Sequence, residues 1–500
     1  MYITAQELFN ARVSAEGGLS IDSILRDLIP EDERSPEKTM MREGERYYAG
    51  EHEILQHDFR ESLVYGEGAQ PELMRNENNS NFQLVHNFHA HHVDQKVAYC
   101  FGKPFTVSVE GSANSAELKA YEKKLSWITT DEEFRDMVID LAIGASNKGV
   151  DWLHPYYDAE GKLQFAVVPG AEVRAFYDLE NQKTLTDIIR YWTIKVVRDK
   201  ETVERHRVEW WTPQDVTYLE EDDEGHYRLS PTGKDLPCNP APHWWSFTTR
   251  NGATVKHEAH GWGRVPFIPF RNNRGSASDL KMYKGLIDAY NMLASKATND
   301  QIDIAYLYWL ICGYGGEAAK SILKKLNLNK AAVVDDGGLG KGSVDAKTVT
   351  LSTADRIAWL KFLRNDIYHQ GRAFDESPDA VGNATNVALK LQYANLDMKA
   401  DPFISKFKVA FKELFWFITD DMNRRDGTNY DSALARVDIK KNRIINETEL
   451  IDNVLASVGF VPNTMLLSRH PYVDDVEQAK ADLAAEQKAK AKDYLNDDVE

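Results

Sequence analysis

VALKLQYANLDMKADPFISKFKVAFKELFWFITDDMNR, residues Val387–Arg424, is the stretch that decides how this chain folds. Leu389, Tyr393, Leu396, Phe403, Phe407, Phe411, Leu414 and Ile418 recur with helical spacing, so the segment predicts one helix roughly 55 Å long at 1.5 Å per residue. Pro402 falls inside it and is expected to kink it, because the ring removes a hydrogen bond and clashes with the preceding turn. Immediately upstream, Ala373–Asn386 breaks the helical period with Pro378 and Gly382. Before that, a helix is expected from Ser352 or Thr353 to about Gln370. Leu280, Tyr283, Leu286, Ile287, Tyr290 and Leu293 mark another, with Ser278 as its N-cap. Tyr283, Ile287 and Tyr290 are expected to leave an apolar stripe that needs a partner. Between these two helices, residues 306–351 read as a small α+β insert. It has a helix at Glu317–Leu326 and strands Ala331–Asp335 and Lys347–Leu351 around Gly337-Gly338-Leu339-Gly340-Lys341-Gly342.

Residues 1–150 read as mainly helical. Helices are expected at Ser20–Leu28, stopping at Pro30, at Phe82–Phe101, and at Asp131–Lys148 with Gly149 as the stop. The texture then turns to β. Residues 151–245 read as an antiparallel meander, beginning with a hairpin around Asp158-Ala159-Glu160-Gly161. Gly261–Phe270 reads as an extended connector held by its prolines. Beyond the long helix, Asn446 and Glu449 form a capping box, and the charged stretch after Pro471 reads as a solvated helix that frays at its end. The fold class is therefore α+β, mainly helical.

The chain has 500 residues with 60 Lys+Arg against 78 Asp+Glu, a net charge of −18. That balance argues against a free-standing DNA-binding protein, which needs a basic stripe. Three cysteines, Cys100, Cys238 and Cys312, are too few and too scattered for a disulfide framework, so a reducing compartment is expected. No apolar run reaches the roughly 18 residues that span a bilayer, and a soluble, cytoplasmic protein is expected. His86, His89, His91 and His92 fall around a helix rather than on one stripe, and solvated or packed histidines explain them better than a metal site. The glycine-rich turn is not a phosphate loop, because Gly342 follows Lys341 where Ser or Thr is required; a hairpin turn fits better. Gly261 and Gly263 lack a third glycine and run into Pro266, so they are no dinucleotide fingerprint. No nucleophile elbow is present. Trp210-Trp211, Trp244-Trp245 and Phe415-Trp416-Phe417 read as core or interface. The expected catalytic, metal and cofactor sets are all empty.

An ordered series of segments resembles the portal proteins of long-tailed bacteriophages, of the type found in siphophages of Bacillus. The segments are Gly44-Glu45-Arg46-Tyr47-Tyr48, Val93-Asp94-Gln95-Lys96, Gly102-Lys103-Pro104, Ser146-Asn147-Lys148-Gly149 and Trp152-Leu153-His154-Pro155. Gly261–Asn273 and Ser278-Asp279-Leu280-Lys281-Met282-Tyr283-Lys284 follow. The last are Phe374-Asp375-Glu376-Ser377-Pro378, Ala388-Leu389 and Arg469-His470-Pro471-Tyr472-Val473. Together they run collinearly from about residue 40 to 480. Val381-Gly382-Asn383 departs from the pattern, standing where a relative carries a run of glycines.

The resemblance implies a portal-type fold and a homo-oligomeric ring of about twelve subunits at one capsid vertex. It implies residues 1–272 as a wing, 273–305 as the first stem helix, 306–351 as a clip and 352–372 as the second stem helix. It further implies 373–386 as a tunnel loop, 387–424 as the kinked wing helix, and 425–500 as a crown. Phe374, Asp375, Glu376, Ser377, Pro378, Asp379, Ala380, Val381, Gly382 and Asn383 would then line the channel constriction. The implied partners are double-stranded DNA without sequence specificity, a terminase motor, head-completion or adaptor proteins, scaffolding protein and the major capsid protein. No membrane is involved, and the place is the virion after assembly in the host cytoplasm. An acidic ring suits this role: twelve copies at −18 each carry about −216 charges, which repel phosphates rather than hold them. Two alternatives belong to other classes. One is a ring-forming connector without DNA transit; the other is a cytoplasmic metalloenzyme using His86–His92.

Overall fold

The computed structural model describes residues 20–303 with short breaks at 65–71, 78, 112–114, 182, 199–200, 234–235 and 251–252. It further describes 308–312, 331–334, 343–347, 353–375, 386–442 and, with breaks, 451–486. The N-terminal helices are α1 (Ile21–Glu33) and α2 (Pro36–Tyr48). They are followed by α3 (Phe88–Phe101) and α4 (Glu132–Lys148). Farther along are α5 (Lys284–Asp303), α6 (Thr353–Gly371) and the 41-residue α7 (Asn386–Asp426). Among the described residues no helix is long and apolar enough to cross a membrane.

Helix α7 carries Pro402 within its length and organises the main core. Phe403, Phe407, Phe411 and Phe415 sit one turn apart and are essentially buried. Phe407 meets Phe101 of α3 at 5.1 Å and Phe270 at 5.0 Å between ring centroids, while Phe411 meets Phe105 at 5.3 Å. Each buried phenylalanine contributes about 1.5–3 kcal/mol from apolar burial, so this row dominates the stability of the region. Phe134, Val138 and Leu141 of α4 complete the cluster. Helix α4 begins where the sequence places it: the Asp131 carboxylate accepts from the Glu133 and Phe134 amides. It ends at Gly149, whose φ of +90° and approach to the Ser276 carbonyl leave no room for a side chain.

The β-rich region departs from the single meander expected over 151–245: its opening hairpin belongs to a separate three-stranded sheet. β1 (Val150–Tyr157) and β2 (Leu163–Val168) form the hairpin, and Gly161 at φ +73° supplies its turn. Five further strands form a sequential antiparallel meander. They are β3 (Val173–Tyr177), β4 (Leu185–Arg198), β5 (Glu201–Trp211), β6 (Asp215–Glu221) and β7 (Tyr227–Leu229). Ile24, Leu25, Leu28 and Ile29 of α1 pack on Ile189, Tyr191, Val208 and Trp210 of this sheet. A hairpin of β8 (Trp244–Arg250) and β9 (Ala253–His260), which the sequence reading lacked, follows the meander. The connector is partly a strand: β10 (Ile268–Arg271) pairs with β1. Pro269 is tolerated because β10 is an edge strand, where a missing donor faces no neighbour.

Several expectations are corrected. Helix α1 runs through Pro30 to Glu33, because its last turn is anchored by buried Asp32, which accepts from Tyr191 and pairs with Arg174 and Lys38. Helix α3 starts at Phe88, not near Phe82, because residues 80–86 are claimed by α5, as described below. Ser278 caps a short 3-10 turn, Asp279–Met282, before α5 begins. In the insert, β11 (Tyr308–Cys312) lies between β12 (Ala331–Val334) and β13 (Ser343–Lys347). β11 is parallel to β12 and antiparallel to β13. The strands flanking the glycine-rich segment therefore pair with a third strand, not with each other, and the hairpin reading fails. Gly337–Gly342 and Glu317–Leu326 lie outside the described residues, as does the capping box at Asn446 and Glu449.

Candidate functional site

Four helices converge where α6 ends and the connection to α7 begins, and buried charge ties them together. Lys96 of α3 is fully enclosed; its ammonium donates to Asn272 Oδ1 at 2.8 Å and to Asp279 Oδ2 at 2.7 Å. Lys399 of α7 reaches the same Asp279 oxygen at 3.1 Å and donates to the Gly371 carbonyl at the end of α6. Burial lowers the Lys96 pKa to about 8, against the pull of Asp279. Burial would raise the Asp279 carboxyl, but Lys399, Lys96 and Asn272 together hold it well below the usual carboxylate range. One aspartate thus fixes the start of α5, the middle of α3 and the middle of α7 at one point, and Lys399 joins the end of α6 to it.

The histidines surround this junction. His89 Nδ1 lies 2.8 Å from the Tyr283 hydroxyl, and His86 shares its Nδ1 with Asn291 Oδ1 at 3.1 Å. His92 is buried between Tyr283 and Tyr368, with ring centroids 5.1 and 5.0 Å away. Gly371 has no side chain because a Cβ there would strike the His92 ring. His91 faces Tyr368 at 6.0 Å. Burial pushes His89 down to about 4 and His92 lower than its ordinary value too, so both are neutral packing groups at pH 7. Among the described residues no three His, Cys, Asp or Glu side chains gather to hold a metal, so the metalloenzyme alternative has no ligand set there.

The segment expected to line a channel begins just beyond α6. Phe374 departs from its expected place on a lumen: its ring is buried, stacked on Tyr393 of α7 at 5.0 Å and 15°. The apolar ring finds a better environment in the core than at an aqueous surface. Asp375 pairs with Arg364 of α6 at 2.8 Å. Glu376, Ser377, Pro378, Asp379, Ala380, Val381, Gly382 and Asn383 lie outside the described residues. Tyr283 and Ile287 are also corrected: both are buried within the chain against Tyr47, Phe88, Ile367 and Tyr368, and Tyr290 packs edge-on to Phe88. Exposed aromatic surface lies instead on α6, where Trp359 and Phe362 are 58% and 57% exposed. Sequence reasoning missed Lys96, Asp279 and Lys399 as a unit. Lys96 and Asp279 do fall in quoted segments of the resemblance, but nothing local shows that they meet.

The model of the family described as "Phage portal protein, SPP1 Gp6-like" matches residues 30–493 of this chain. The chain belongs to that portal protein family. The portal protein of Bacillus phage SPP1 is 29% identical over 460 residues, covering 91% of this chain and 84% of that one. The portal protein of Clostridium phage phiCD119 is 27% identical over 470 residues, covering 91% and 94%. A chain from the neck of an empty GTA particle, computed with C6 symmetry, superposes with a TM-score of 0.39 at 10% identity, covering 75% of this chain and 88% of that one. Membership of the portal family makes this chain a structural component of a phage virion.

Proposed function

We propose that copies of this chain close into a ring of about twelve at a single capsid vertex, and that double-stranded DNA passes through its centre during packaging and ejection. The observation that carries the ring is the uneven burial of α6. Ile367 and Tyr368 are buried against α5, while Trp359 and Phe362 leave aromatic surface exposed. Head-to-tail contact with the next copy covers that exposed surface.

In this reading residues 1–272 are the wing, 273–305 and 352–372 the stem, 306–351 the clip, and 425–500 the crown. Residues 387–424 are the wing helix, bent at Pro402, and 373–386 are the tunnel loop. Its acids and those around the lumen keep phosphates from binding, so the duplex slides. A separate terminase motor docks on the clip and supplies the energy, and head-completion proteins replace it there. Scaffolding and major capsid proteins meet the outer wing.

Light scattering on purified protein is expected to give a mass on the order of twelve subunits; a stable monomer at micromolar concentration overturns the ring. The DNA path is tested by changing Glu376→Lys together with Asp379→Lys, leaving Asp375 to its pair with Arg364. Rings should still form, and packaging should slow in a salt-sensitive way. Normal packaging at low salt removes the loop from the DNA path.

A further inference from the structure

The chain leaves α6 through an unusually dense set of restraints. The φ of Arg372 is +50°, and the Ala373 amide turns back to the Tyr368 carbonyl at 3.0 Å. Phe374 is then gripped at both backbone groups by one side chain. Its N–H donates to Gln95 Oε1 at 2.7 Å, and its carbonyl accepts from Gln95 Nε2 at 2.8 Å. The carboxamide of Gln95 thus plays the part of a neighbouring strand's peptide, from a helix 279 residues earlier in the chain. On the other side the Phe374 ring closes a three-ring stack: Tyr393 lies 5.0 Å from it, and Tyr99 lies 5.8 Å from Tyr393 at 16°. Tyr99 and Gln95 are one turn apart on α3, so the clamp and the stack share one rigid support.

We propose that Gln95 is a positioning residue: it ties the start of the α6–α7 connection to the wing helices, so that the connection enters the channel from a fixed point instead of following the stem. The inference rests on the reading of 373–386 as the loop that faces DNA. A backbone N–H and C=O held by one carboxamide are fixed in direction as well as position, which an aromatic contact alone does not achieve. A cavity of about 350 Å³ lies beside the clamp, lined by Gln95, Phe374 and Tyr393 among others. It leaves the stack room to shift once the carboxamide is gone.

The test uses assembled rings of full-length protein carrying Gln95→Ala or Gln95→Glu. Glutamate keeps the acceptor for the Phe374 amide and loses the donor to its carbonyl, so it should fall between wild type and alanine. Amide exchange in the peptide spanning 372–376 should rise about tenfold in the alanine variant, the equivalent of one net hydrogen bond. Ring mass should be unchanged and packaging should slow in the same order. Unchanged exchange overturns the clamp, and raised exchange with normal packaging reduces Gln95 to a local structural role and overturns the proposal. If Gln95→Ala fails to assemble, the glutamate variant, which keeps the buried volume, decides on the same readouts. If the Glu376→Lys and Asp379→Lys rings also package normally, it is the placing of the loop that has failed, and this inference falls with it while the clamp itself stands.

Discussion

His89 keeps a neutral imidazole because burial disfavours a charge there and Lys399 and Lys96 repel it, which outweighs the pull of Asp279 and a hydrogen bond with Asn147. The consequence for stability has a definite sign. The folded chain binds the proton near pH 4, the unfolded chain near 6.5, so stability is complete above 6.5 and drains away as pH falls towards 4. By pH 5 the loss from this residue is about 2 kcal/mol. His92, also pushed down by burial, adds to it. Asp151 works the other way: burial raises its carboxyl to about 6, so it favours the folded state below its ordinary value and loses that contribution as pH rises through 6. The clean measurement is therefore a difference. Denaturant midpoints of wild type and His89→Gln should converge between pH 7 and pH 5, the wild type losing more. Parallel losses would mean that His89 is not the group that titrates.

Amide side chains that grip a backbone at two points recur at the level of elements. Along α5, Asn291, Ser295, Asn299 and Asp303 stand four residues apart and form a polar ladder. The amides of His86, Leu84, Phe82 and Ser80, alternate residues of an extended segment, donate to these four side chains at 2.7–3.0 Å. Asn299 also donates to the Phe82 carbonyl at 3.0 Å. A strand period of two residues, about 6.6–6.8 Å, lies near the helical rise of four residues, about 6 Å, which is why the two registers match. Asn299→Ala should expose both Phe82 backbone groups at a cost of about 1–3 kcal/mol and speed exchange at the Phe82 and Leu84 amides. Exchange unchanged at Phe82 would show the strap to be held by other contacts. This element also explains what the sequence could and could not disclose. The capped ends of α4, the aromatic row of α7 and the β meander were legible because each is a local pattern with its own period. The ladder was not: four polar residues at helical spacing look like any solvated face, and Phe82–Phe101 has helical periodicity that the docking of residues 80–86 overrides. Likewise the order of β11, β12 and β13 depends on pairing between distant segments, and the clamp of Gln95 on Phe374 depends on a contact that no spacing encodes. The resemblance located the stretches holding Gln95, Lys96 and Asp279 without revealing that Lys96 meets Asp279 or that Gln95 grips Phe374.

At the scale of the whole molecule, the burial of Tyr283 and Ile287 inside one chain shifts the burden of the proposed assembly to α6. Trp359 and Phe362 contact each other edge-to-face at 5.5 Å and stay largely exposed, whereas Ile367 and Tyr368, about two turns further along the helix, are buried. In the proposed ring each copy carries a net charge of −18, so neighbouring copies would repel, and desolvated contacts would be needed to overcome that repulsion. Aromatic anchors that lose their water in the interface supply such contacts, whereas rim charges mainly tune rate and salt dependence. Replacing both anchors, Trp359→Glu with Phe362→Glu, should therefore separate folding from assembly. Within a single chain these side chains are mostly in water, so the change should shift stability by no more than about 0.5 kcal/mol. At the interface the same change buries two unpaired carboxylates, a penalty of several kcal/mol per contact that repeats around the ring. The double variant is expected as a folded particle near 56.9 kDa by mass photometry, with the wild-type far-UV spectrum, and high salt should restore little assembly because burial rather than screened repulsion sets the penalty. A variant that still forms the wild-type ring would place Trp359 and Phe362 outside the subunit contact and leave them turned to another partner.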